Sequence, residues 1–156
     1  MIHQIRTEQF LNATIEEVWD FVTFPGNLKK ITPEYMNFVI KSKNMNEKIY
    51  PGMIICYKVS PVLKIPTSWV TEITHVKKNE FFVDEQRVGP YAIWHHEHLF
   101  REEKSGVKMI DIISYKLPFG IIGRCMHYLF IKNRLNDIFN YRYKKMNEIF
   151  NTSKCG

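Results

Sequence analysis

"AIWHHEHLFREEKSGVKMIDIISYKL", residues 92–117, holds two apolar-rich runs around the polar break Glu103-Lys104-Ser105-Gly106. Each run has the length and the aromatic and β-branched content of a strand, and the break reads as a hairpin turn. Side chains alternate in a strand, so position parity sorts the faces. Trp94, His96, His98 and Phe100 share one side; Ile93, His95, Glu97, Leu99 and Arg101 share the other. In the second run Met109, Asp111, Ile113, Tyr115 and Leu117 share a side. A turn centred on Lys104-Ser105 sets Phe100 opposite Met109, His98 opposite Asp111, His96 opposite Ile113 and Trp94 opposite Tyr115. This register joins the more apolar faces of both strands. A slip of one residue would mix them, which burial disfavours.

Outward from the hairpin, residues 36–41, 53–60, 69–76 and 81–88 also read as strands. Pro51-Gly52, Pro61…Pro66 and residues 77–80 separate them. Residues 2–11 read as a first strand, followed by "TIEEVWDFV". There Thr14 and Glu17 have the spacing of a capping box, and Ile15, Val18, Trp19 and Val22 recur at helical intervals. "NLKKI" is a second short helix, stopped before Pro33. Pro118-Phe119-Gly120 ends the strands, and residues 121–151 form a long helix with Leu135, Ile138, Phe139, Met146, Ile149 and Phe150 on its apolar side. Short breaks between consecutive strands favour antiparallel hairpins. The expected fold is α+β: one domain over residues 1–156, with the long helix covering a curved sheet and leaving room for a ligand.

Composition narrows the function classes. The chain is 45% hydrophobic and 14% aromatic, enough for a core that doubles as a pocket wall. Neither a secretory signal nor an apolar run long enough to span a bilayer stands out, so a cytoplasmic protein is expected. Cys56, Cys125 and Cys155 form neither a zinc spacing nor a disulfide framework. Of the net charge of +6, most sits in residues 121–156, where Arg124, Lys132, Arg134, Arg142, Lys144, Lys145 and Lys154 face only Asp137 and Glu148. That basic stretch reads as the solvated face of a helix. Nucleic acid is not an expected partner, and membrane contact is at most transient.

Three readings compete for the histidines. His98 and Asp111, with His96 beside them, can simply satisfy each other in a half-buried place. They can orient a ligand or act as an acid–base pair. His96, His98 and Asp111 can hold a metal as a two-histidine, one-carboxylate set. No cofactor and no tightly bound metal are expected, because His95 points away by parity and the ligand set is minimal. Arg142 is a separate anomaly. It lies three residues after Phe139 and four before Met146, inside the apolar stripe. It either snorkels to the rim or brings a cation to the pocket.

"ATIEEVWDFVTFPGNLKKITP", "FVDEQRVGPYAIWHHEHLF", "GVKMIDIISYKLPFG" and "RLNDIFNYR" resemble the bacterial SRPBCC proteins. These belong to the START-like, helix-grip superfamily, with plant pollen-allergen proteins, lipid-transfer domains and polyketide cyclases. The resemblance runs over nearly the whole chain. It implies about seven antiparallel strands wrapped around a C-terminal helix, and an apolar cavity for a lipid, quinone or polyketide. The expected wall is Trp94, Phe100, Met109 and Tyr115, with Trp69 and Tyr57, and the polar contacts are His96, His98, Asp111 and Arg142. Binding of a small hydrophobic ligand, as carrier or sensor, is the expected function. The alternative is a cyclase or dehydratase using His98 and Asp111.

Overall fold

The structure, a computed structural model, describes residues 1–43, 45–60 and 65–152. Lys154, Cys155 and most of the break at Pro61…Pro66 lie outside the described residues. The chain runs β1 (His3–Leu11), α1 (Ile15–Val22), 3-10 segments at Pro25–Ile31 and Glu34–Met36, then β2 (Val39–Ile40) and β3 (Ile54–Val59). β4 (Thr67–Lys77), β5 (Phe81–Val88), β6 (Ile93–Glu103) and β7 (Gly106–Lys116) follow. The chain closes with α2 (Gly120–Met126), a π turn at His127–Ile131, α3 (Lys132–Asn147) and a second π turn at Glu148–Thr152.

Among the described residues seven strands form one antiparallel sheet in the order β1-β7-β6-β5-β4-β3-β2. The central hairpin has the expected register, with Trp94↔Tyr115, His96↔Ile113, His98↔Asp111 and Phe100↔Met109. β1 closes the sheet against β7, from His3↔Tyr115 to Leu11↔Val107. The strands approach so tightly there that a side chain on Gly106 would meet the Leu11 carbonyl. Two irregularities between β4 and β5, at Val70/Thr71 and Ile73/His75, bend the sheet as bulges do.

The capping box forms as spaced: Glu17 N–H donates to Thr14 Oγ1 at 3.2 Å, and Thr14 N–H to Glu17 Oε2 at 2.7 Å. Ile15, Val18 and Trp19 are buried by that helix. The strand expected at 36–41 is shorter. Glu34–Met36 is a 3-10 turn capped by Asn37 at φ 48°, so only Val39–Ile40 pairs with β3. The C-terminal helix carries two π turns that helical periodicity does not reveal. It packs its apolar stripe on the concave sheet face. Ile131, Leu135, Ile138 and Phe139 meet Trp69, Trp94, Ile113 and Tyr115, whereas Met146 and Phe150 join Leu11, Trp19, Phe82, Phe100 and Met109. Gln9 Nε2 donates to the Tyr143 carbonyl at 2.8 Å, and Asn151 Nδ2 to the Phe10 carbonyl at 3.0 Å, which tie the helix to β1. Among the described residues no helix is long and apolar enough to cross a membrane.

Candidate functional site: two histidines and two aspartates on a cavity wall

Between helix and sheet lies a cavity of about 170 Å3, roughly ten times what a single water requires. Its walls are mainly apolar. Trp69, Trp94, Tyr57, Tyr91 and Met109 come from the sheet side, Leu135, Ile138 and Phe139 from the helix, and Leu28, Met36 and Phe38 from the segment after α1. Trp69 and Trp94 meet edge to face at 5.2 Å, and Tyr57 stacks on Trp69 at 6.0 Å. Thr71 Oγ1 ties this wall together: it accepts from Trp69 Nε1 at 3.0 Å and lies 3.0 Å from the Tyr57 hydroxyl. Burial, reinforced by the Asp84 charge, pushes the Tyr57 hydroxyl far up, so it stays a neutral phenol. Gln86 holds the loop before β6 by pairing its amide with both the carbonyl and the N–H of Tyr91, at 2.7 and 3.2 Å.

The polar end is a closed ring of four side chains. His96 Nε2 bonds Asp111 Oδ1 at 3.1 Å, and His98 Nε2 bonds Asp84 Oδ2 at 2.9 Å. The other ring nitrogens complete it, with His96 Nδ1 3.5 Å from Asp84 Oδ2 and His98 Nδ1 2.7 Å from Asp111 Oδ1. That last contact is short but misaligned for a hydrogen bond. The imidazoles lie 3.7 Å apart, Phe82 stacks on His98 at 4.1 Å, and Phe139 sets its edge against His96. His96, His98 and Asp111 are buried, at 3%, 7% and 6% exposure, so their charges interact with little solvent between them.

Burial alone would raise both carboxyls. The hydrogen bond from His98 and the nearby charges of His96, His98 and Arg142 outweigh it and hold Asp84 below the usual range. Asp111 is also held below the usual range, by the hydrogen bond from His96 and by the close contact and charge of His98. Burial pulls the two histidines down, but they part company. The close Asp111 carboxylate and the hydrogen bond to Asp84 more than restore His98, which ends above its ordinary value. His96 stays below, because the charge of His98 adds to desolvation. The arrangement therefore favours two carboxylates, one imidazolium and one neutral imidazole, with Arg142 nearby as a second cation. Arg142 lines the cavity, its guanidinium over the Phe139 ring at 5.3 Å. Its Nε is buried without a hydrogen-bond partner, and among the described residues it makes no ion pair with Asp111 or Asp84.

The structure brings Tyr57, Trp69, Trp94, His96, His98, Met109 and Arg142 together around the cavity. Two expected wall residues and one expected polar contact stand elsewhere. Phe100 shares the inward face, but the ring of Trp19 covers it at 5.5 Å, in the core under α1. Tyr115 turns its hydroxyl to His127 Nε2 at 2.9 Å. Asp111 sits behind the histidines and bounds only a small recess beside Thr7, Gln9 and Arg142. Asp84 is the residue that the sequence reading missed. It pairs across the sheet with His96. Its parity with Phe82 was the available signal, yet Val83 on the other face is equally buried, so the strand showed no clear inner side.

No family model and no curated protein matches the chain. Solved structures do. Protein CV1439 from Chromobacterium violaceum superposes with a TM-score of 0.70 at 13% identity, over 94% of this chain and 96% of that one. Ara h 8.0201 gives 0.59 at 10% identity, over 94% and 98%. A nucleoside-diphosphate sugar epimerase from Corynebacterium glutamicum gives 0.63 at 20% identity, over 92% of this chain and 28% of that chain. At such identities the likeness is one of fold. The fold is the helix-grip architecture of SRPBCC, START-like proteins, in agreement with the sequence resemblance.

Proposed function

We propose that the protein binds a small hydrophobic molecule bearing one polar, acidic or carbonyl-containing end. One observation carries this reading: a mainly apolar cavity ends in a polar cluster beside a guanidinium whose Nε has no partner. The Arg142 guanidinium lines the cavity, so an acidic or carbonyl group on the ligand gains a charge-assisted hydrogen bond there. Aromatic walls supply shape and burial, and the few polar groups fix orientation. An anionic naphthalene-sulfonate dye tests the reading by fluorescence. It should bind saturably, and Arg142→Met should fold normally yet bind at least tenfold more weakly, about 1.4 kcal/mol. Unchanged binding in that variant would leave Arg142 as a merely snorkelling side chain. Native mass spectrometry of protein purified from its own host would then identify the ligand class.

A second reading, an enzyme of the cyclase or dehydratase type, draws on the 2.9 Å contact between His98 and Asp84 at the cavity wall. Asp84 faces the cavity, so the proton-transfer pair would be His98–Asp84 in place of His98–Asp111. An enzyme should lose turnover in His98→Ala while keeping ligand affinity, whereas a carrier has no turnover to lose.

A further inference from the structure

We propose that Asp84, His96 and His98 form a site for one divalent transition-metal ion, with Asp111 aiming both imidazoles at it. The inference stands apart from the ligand reading and needs only the ion as probe.

The geometry is directional. Asp84 Oδ2, His96 Nδ1 and His98 Nε2 converge, and a ligand atom from each of the three residues lies within 4.8 Å of the others. The opposite nitrogen of each ring turns to the same atom, Asp111 Oδ1, at 3.1 Å for His96 and 2.7 Å for His98. A carboxylate behind a metal-ligating imidazole fixes its tautomer and orientation and strengthens it as a donor. Here one carboxylate oxygen stands behind both rings, hydrogen-bonded to His96 and in close charge contact with His98. A divalent ion would take the place of the His98 proton between the rings and Asp84, so the carboxylates stay compensated when it binds.

The site has a front and a back. Asp84, His96 and His98 line the cavity, while Asp111 does not. Two imidazoles and one carboxylate leave coordination positions free on the cavity side, where an exogenous ligand could complete the shell. Nitrogen and oxygen donors without thiolate suit zinc, iron(II), manganese or cobalt(II). The set differs from the His96, His98 and Asp111 combination suggested by the hairpin register, because Asp111 stands behind the rings.

The test is titration of chelator-treated protein with cobalt(II) and zinc, read by calorimetry and visible absorption. The expected result is one ion per chain, a cobalt spectrum of nitrogen and oxygen ligands, and a raised melting temperature. Asp84→Asn and His96→Gln should abolish stoichiometric binding, Asp111→Asn should weaken it about ten- to hundredfold, and His127→Gln should leave it unchanged. Absence of saturable one-per-chain binding would overturn the proposal. So would binding unaffected by Asp84→Asn and His96→Gln, or a thiolate-to-cobalt band that places the ion on a cysteine. If a variant fails to fold, the cobalt spectrum and stoichiometry of the unaltered protein decide the matter alone.

Discussion

Two pairs of histidine rings lie against each other in this protein, 3.7 Å apart for His96 and His98 and 3.6 Å apart for His3 and His127. The first pair is flanked by Asp84 and Asp111, whereas the hydrogen-bond partner of the second, among the described residues, is the Tyr115 hydroxyl. In the first, hydrogen-bonded carboxylates lift one ring above its ordinary value despite burial. In the second, burial lowers both rings, and the charge of His3 lowers His127 further. Proximity of imidazoles is therefore not what stores charge in this core. The carboxylates on β5 and β7 do, by offering acceptors at both edges of the rings.

The most severe way to break the contrast is Asp111→Ala. It strips both buried rings of their rear acceptor and should cost about 3–5 kcal/mol in denaturant unfolding, as removing one member of a buried charged set does. A loss below 1 kcal/mol would mean that the ring of contacts is not coupled. Asp84→Asn keeps the shape and weakens the contacts to His98 and His96, and should cost about 1.5–3 kcal/mol. A double-mutant cycle with His98→Gln should return a clear interaction energy, since the two side chains touch; simple additivity would refute the pairing.

These residues also show what the chain reveals by itself. The β6–β7 register was legible because a tight turn and strand parity leave one pairing that keeps apolar faces together. The β5–β6 register was not. The connection through Gly89 and Pro90 is longer, and Phe82 and Val83 are buried on opposite faces of β5, so neither length nor pattern set Asp84 against His96. Arg142 was legible as an anomaly of spacing, though its missing partner was not. Helical periodicity likewise concealed the π turn at His127–Ile131, which carries the Tyr115 partner.

Tyr115→Phe sharpens the other side of the comparison. It removes the hydroxyl from the uncharged pair and should cost about 1 kcal/mol, with no effect on the first pair. The smallest effect is on the pH profile. His3 and His127 are both held below their ordinary 6.5, so the unfolded chain takes up protons there first. Their contribution is complete above that value and is lost as pH falls toward the folded values. The double variant His3→Gln, His127→Gln should flatten stability against pH on the acid side of 6.5. An unchanged slope would show that these rings titrate alike folded and unfolded.

The pairing of β1 with β7 has a kinetic consequence. The four side chains of the ring come from β5, β6 and β7, consecutive strands joined by short connections, so their contacts close over short loops. β1 must instead wait for Val107 to Tyr115, roughly two-thirds of the chain later, and its buried Leu11 stays unpaired until then. Loop closure of that length is the slow, entropically expensive step in β-rich folding. The meander that carries the histidines can thus be assembled from local contacts, while the docking of β1 on β7 sets the pace.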